Sequence, residues 1–87
     1  GEERYFKITK RIYQELENRL KDSKFLAGEK YTIADIALWP WIARHEWHDI
    51  GLKNFKNLSR WYSNISNREA VIKGYQFMNK KDLPPHP

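Results

Sequence analysis

Residues 28–37 read Gly-Glu-Lys-Tyr-Thr-Ile-Ala-Asp-Ile-Ala, and this stretch constrains the fold more than any other. Thr32 and Asp35 stand three apart, just before an apolar run that continues through Leu38 and Trp39. That spacing is an N-capping box: the Thr32 hydroxyl can accept from the backbone N–H of Asp35, and the Asp35 carboxylate from the N–H of Thr32. Tyr31 and Ile36 fall where an apolar pair staples the entering chain to the first turn. Losing such a cap costs on the order of 1 kcal/mol. It matters more here, because a helix this apolar would bury its terminal amides without partners. Asp35 thus has a structural task, which argues against reading it as a catalytic acid.

Helical periodicity covers most of the remaining chain. From about Glu2 to Asp22, apolar residues fall at Tyr5, Ile8, Ile12, Leu16 and Leu20, in steps of three and four, with Phe6 and Tyr13 beside them. This predicts a long amphipathic helix with that row buried. Glu15–Arg19 and Glu17–Lys21 would pair four apart on its polar side, and Glu2 and Glu3 suit the positive end of its dipole. Residues 23–31 read as a connection, with Phe25 and Leu26 as an apolar plug and Gly28 at the turn. The capped helix is expected from Ile33 to about Trp47, kinked at Pro40, which has no N–H for the carbonyl of Ile36. Asp49-Ile50-Gly51 ends it and Leu52 to Lys56 is a loop. Leu58, Trp61, Tyr62 and Ile65 mark a further amphipathic helix, broken at Ser66-Asn67. A last short helix opens at Arg68-Glu69 and ends near Gly74. Three prolines among the final four residues make 80–87 an extended tail. The fold class is all-α, a helical bundle around the capped helix.

Eighty-seven residues make one small domain with a limited core. With no cysteine, the chain has no disulfide, no thiolate metal site and no cysteine nucleophile. Sixteen Lys plus Arg against eleven Asp plus Glu leave a net charge of +5. The excess is dispersed among acids and reads as solvated surface, not as a nucleic-acid footprint. Trp39, Trp41, Trp47 and Trp61 could form a stacking platform for single strands, but aromatics at helical spacing more often make a core. His45-Glu46-Trp47-His48 places two histidines three apart, whereas the zinc-protease pattern needs four; no third ligand follows, so no metal is expected. Histidines near a helix end ordinarily meet its last carbonyls or water. No apolar run approaches the roughly 20 residues that span a bilayer. No signal-peptide pattern opens the chain, so no membrane partner is expected and cytoplasm is the default. No catalytic residue is identified in this chain.

The string Phe-Leu-Ala-Gly-Glu-Lys-Tyr-Thr-Ile-Ala-Asp-Ile-Ala-Leu-Trp-Pro-Trp, residues 25–41, resembles the opening of the central buried helix in the C-terminal domain of cytosolic glutathione transferases. Ala-Asp-Ile-Ala followed by Trp-Pro-Trp looks most like the bacterial nu-class and yeast-prion-like branch. The resemblance runs from about Glu3 to about Tyr75. It implies a partial glutathione transferase C-terminal helical domain over residues 1–79, without that domain's first helix, and a Pro-rich tail over 80–87. It also implies that the chain is a fragment exposing an apolar face. The parent would carry an N-terminal thioredoxin-like domain that binds glutathione, and would form a homodimer. Its chemistry would be glutathione conjugation or glutathione-dependent disulfide reduction, with this chain inactive alone. Within Glu3-Arg4-Tyr5, which looks like the start of the matching helix in that branch, Arg4 could reach glutathione, whose two carboxylates suit a guanidinium. The other reading of Arg4 is an ordinary solvated side chain. Domains of this type also serve as non-enzymatic interaction modules, which is the alternative function.

Overall fold

The computed structural model describes residues 2–48, 50–78 and 83–87, the side chains of residues 2, 46 and 47 excepted. Its elements are α1 (Glu2–Lys21), α2 (Ile33–Ile42), α3 (His45–His48), a 3-10 turn (Leu52–Asn54), α4 (Lys56–Ser66) and α5 (Glu69–Met78). All regular elements among the described residues are helical, and α1 against α4 is the main packing.

The length of α1 follows its period, but the buried arc is rotated from the expected one. Thr9, Tyr13 and Leu20 are fully buried, with Ile12, Leu16 and Glu17 half-buried beside them. Tyr5 and Ile8, expected in the core, are 58% and 49% exposed. Periodicity sets the spacing of a helical stripe; the neighbouring element chooses which residues along it are covered. Here α4 supplies Leu58, Trp61, Tyr62 and Ile65, all fully buried, to the shared core. No described element covers the first two turns of α1.

Glu17 also departs from the sequence reading. It does not pair with Lys21; its carboxylate accepts from the backbone N–H groups of Asn57 and Leu58 at 2.8 and 3.0 Å. The α4 helix starts after Phe55, which has no side-chain oxygen and makes no cap bond. Glu17 therefore acts as the N-cap of α4 from a different helix, placing an anion at its positive end. Arg60 returns the favour from α4. Its guanidinium donates to the carbonyls of Leu20 and Ser23 at 2.9 and 3.0 Å, at the C-terminal end of α1. Glu15 pairs with Arg11 and not with Arg19; Arg19 donates to the carbonyl of Leu26 at 2.8 Å.

The connection from α1 to α2 turns on itself where Phe25 and Gly28 exchange backbone hydrogen bonds at 2.8 and 3.2 Å. Gly28 has φ +124°, a region closed to most side chains, so this turn requires glycine. Phe25 plugs the core as expected, packed edge-on to Tyr31. The capped helix continues past Pro40 but stops at Ile42, earlier than the expected Trp47. A turn follows, with Arg44 N–H bonded to Trp41 O, before α3 begins at His45. His48 on α3 bonds Tyr13 on α1, and its ring lies beside that of Trp41 at 4.4 Å between centroids. The expected loop before α4 contains a 3-10 turn, and α5 runs beyond Gly74 to Met78. Asp49 and Lys80–Asp82, read as a helix end and part of the tail, lie outside the described residues. Residues 83–87 form no regular element, and Tyr62 Oη donates to the Pro85 carbonyl at 2.6 Å.

Glu17→Ala should lower the unfolding free energy by about 1.5–3 kcal/mol, the range for hydrogen bonds to a charged group. Glu15→Ala, which touches only the exposed Arg11, should leave the urea midpoint unchanged. Equal effects of the two substitutions would show that α4 does not depend on Glu17.

Candidate functional site

Asp35 is fully buried at the first turn of α2. Its Oδ2 accepts from Thr32 N–H at 2.9 Å, the reach-back half of the capping box. The Thr32 hydroxyl is turned to the same oxygen at 3.4 Å, while the Asp35 amide bonds the Thr32 carbonyl at 3.1 Å. Its Oδ1 holds two donors that local sequence does not announce: Leu26 N–H at 3.0 Å and Trp61 Nε1–H at 2.8 Å. One carboxylate thus joins the 23–31 connection, the start of α2 and the middle of α4. Burial alone would push its pKa up. The hydrogen bonds from Leu26, Thr32 and Trp61 outweigh burial and hold it below the ordinary 3.8. These contacts occupy both oxygens with protein donors, an arrangement that serves packing and leaves little for proton transfer.

A second buried polar group sits between α1 and α3. Tyr13 Oη and His48 Nδ1 are 2.7 Å apart, and both residues are buried. Burial, then Tyr5 and Tyr62, push the Tyr13 phenol far above its usual range. Burial, then His45 and Arg44, hold the His48 imidazole below 6.5. The phenol accordingly keeps its proton and shares one hydrogen bond with the Nδ1 of a neutral imidazole. His45 is also buried, edge-on to Tyr62 at 5.6 Å. Both histidines thus lie inside the fold and not at water, and His48 meets the buried hydroxyl of Tyr13. No group of three His, Cys, Asp or Glu that could hold a metal occurs among the described residues.

Among the described tryptophan side chains, Trp39 and Trp61 belong to the core. Trp61 is fully buried, and Trp39 is stacked on Tyr62 with rings 7° from parallel. Trp39 Nε1–H is shared between Tyr62 O and Ser66 Oγ at 3.3 and 3.2 Å. Trp41 is half-buried against Tyr13, and the Trp47 side chain lies outside the described residues. Arg4 is exposed on the first turn of α1, with no ion-pair partner among the described residues.

A groove of about 700 Å³ opens between α2 and α5. Trp39, Ile65, Val71 and Tyr75 line it, with Ile36 and Met78 at exposed edges. Sequence reasoning missed it, because it forms between a helix read as buried and one read as ending at Gly74. No residue of α1 borders it, so Arg4 does not belong to it.

An all-helical domain organised on a capping-box carboxylate matches a known family. The family model described as "Glutathione S-transferase, C-terminal domain" matches residues 3–69. The chain belongs to this family. It is 41% identical over 69 residues to the disulfide-bond oxidoreductase YfcG of Escherichia coli (strain K12), covering 79% of this chain and 32% of that protein. To the disulfide-bond oxidoreductase YghU of the same organism it is 33% identical over 90 residues, covering 93% of this chain and 30% of that protein. To elongation factor 1-gamma of Drosophila melanogaster it is 33% identical over 75 residues, covering 79% and 17%. The chain therefore spans about a third or less of the length of these curated relatives. No solved structure gave a significant match.

Asp35→Ala would strand the buried Trp61 Nε1–H and leave the half-buried Leu26 and Thr32 N–H groups without their acceptor, a loss of about 1–3 kcal/mol or more. Acid should act through the same site. A carboxylate with a depressed folded-state pKa contributes fully above 3.8, and that contribution is lost as pH falls through the lower folded value. Urea titrations at stepped pH would show this slope in the wild type and its absence in Asp35→Asn.

His48 should act in a higher window. Protonation is disfavoured only in the folded state, so its contribution is complete above pH 6.5 and declines as pH falls below it. The stability difference between pH 7.5 and 5.5, measured by denaturant unfolding, should shrink in His48→Gln. An unchanged difference would remove His48 as its source.

Proposed function

We propose that this chain is the C-terminal helical part of a glutathione transferase whose N-terminal thioredoxin-like domain binds glutathione. The observation that carries this reading is the family match over residues 3–69, joined to two relatives named disulfide-bond oxidoreductases. In the parent protein, a glutathione thiolate would attack an electrophile to form a carbon–sulfur bond. Alternatively it would attack a disulfide, forming a mixed disulfide and releasing a thiolate. The chain has no cysteine, so no sulfur of its own can take part in either step. Its contribution is a wall and a scaffold, with Arg4 as the side chain that reaches a glutathione carboxylate. Exposure and the absence of an ion pair among the described residues leave Arg4 available for that contact. The parent is proposed to be a cytoplasmic homodimer. For the chain itself, no helix among the described residues is long and apolar enough to cross a membrane.

The match to a protein named elongation factor 1-gamma favours a second reading, a non-enzymatic interaction module. Glutathione decides between them. In the full-length protein, Arg4→Ala should weaken glutathione binding about tenfold, the equivalent of about 1.4 kcal/mol. Arg4→Lys should restore only part of it, because the fork of two donors is lost. Isothermal titration that finds no glutathione binding in the full-length protein would favour the interaction module. Glutathione binding unchanged in Arg4→Ala would sink the role given to that residue alone.

A further inference from the structure

We infer that the surface around the Tyr62 hydroxyl is a receptor for peptides of the form Pro-x-x-Pro, and that the chain's own Pro84–Pro87 occupies it. Every other residue brings a backbone N–H and a C=O, but proline brings only the C=O. Among residues 84–87 the single backbone N–H is therefore that of His86. Such a segment can lie against a fold without a strand or helix to satisfy it, provided the fold supplies a donor. Tyr62 supplies one, since its Oη donates to the Pro85 carbonyl at 2.6 Å. That donor is fixed from within the fold. The Trp39 ring lies parallel to the Tyr62 ring at 5.5 Å between centroids, and the His45 ring meets it edge-on at 5.6 Å. A donor held in this way loses little freedom on binding.

Exposure along the segment has a period. Leu83 and His86 are exposed, whereas Pro84, Pro85 and Pro87 are half-buried. Residues three apart thus share an environment, as they do on a polyproline helix with about three residues per turn. The side turned to the protein carries Pro84 and Pro87, the spacing that aromatic-lined peptide sites read. Only residues 79–82 separate this segment from the end of α5 at Met78. A link that short gives an effective concentration of about a millimolar or more, enough to fill a weak site in cis. The contact is therefore autoinhibitory: a Pro-x-x-Pro segment of another protein must displace residues 84–87 to bind. Neither Arg4 nor glutathione enters, so this inference stands apart from the function proposed above.

Displacement of the segment is the test. The chain has no cysteine, so His86→Cys places a single thiol at an exposed position for a fluorescent label. Anisotropy of the label then reports whether the segment is docked or free. The peptide Leu-Pro-Pro-His-Pro, blocked at both ends and titrated through the millimolar range, should lower the anisotropy saturably. Leu-Ala-Pro-His-Ala with the same blocked ends should not. Without peptide, Tyr62→Phe keeps the ring, removes the donor, and should move the docked-to-free ratio about three- to tenfold towards free, as for one neutral hydrogen bond. No fall with the proline peptide overturns the receptor, and an equal fall with the alanine peptide overturns the Pro-x-x-Pro requirement. Unchanged anisotropy in a folded Tyr62→Phe protein means that the hydroxyl does not hold the segment, and the assignment is wrong. Both peptide titrations leave Tyr62 in place, so they decide the matter even if Tyr62→Phe fails to fold.

Discussion

A single buried carboxylate ties together the 23–31 connection, the start of α2 and the middle of α4. Asp35 replaces the water it loses on burial with three N–H donors from three parts of the chain. An ionised group in a low-dielectric interior is tolerable only with such a complement. The requirement runs in both directions. Trp61 would bury an unpaired N–H and Leu26 would lose its acceptor if the carboxylate were removed, so the 23–31 connection, the start of α2 and the middle of α4 are held to one another. A cap that began as a local device for ending a helix has become the joint on which the bundle is assembled.

How much of this was legible in the sequence depends on the range of the interaction. The capping box could be read because Thr32 and Asp35 are three residues apart and the donors they satisfy are local. The Trp61 bond could not, since 26 residues separate donor and acceptor. The same distinction explains α1. Its period predicted a helix of nearly the right length, while its buried arc was set by α4 and came out rotated towards Thr9, Tyr13 and Glu17. Glu17 looked like a surface acid because an i,i+4 lysine stood ready to pair with it. A clue was present: Glu17 lies in the helical row of Tyr13, Leu16 and Leu20, and Phe55 leaves α4 without a capping side chain.

The candidate sites divide along the same line. Arg4 was singled out by resemblance, and its exposed place at the start of α1 gives it no described role in holding the fold. The buried Tyr13–His48 bond was not legible, because nothing local marks a tyrosine on one helix as the partner of a histidine 35 residues away. Nor was the end of α2 at Ile42 legible, since no glycine or asparagine follows to announce a stop. The groove was missed for a further reason. It depends on α5 running one turn past the expected end, and helix ends are the least certain feature of a periodic pattern.

Glu17 and Arg60 give α1 and α4 an unusual mutual dependence. Each helix is terminated by a side chain of the other, across about 40 positions of sequence. Neither is complete while it is alone, so secondary structure and docking must be acquired together. A chain built this way has little use for stable helical intermediates: its transition should be sharp, with one barrier. Fraying at the end of α1 will be felt as loosening at the start of α4.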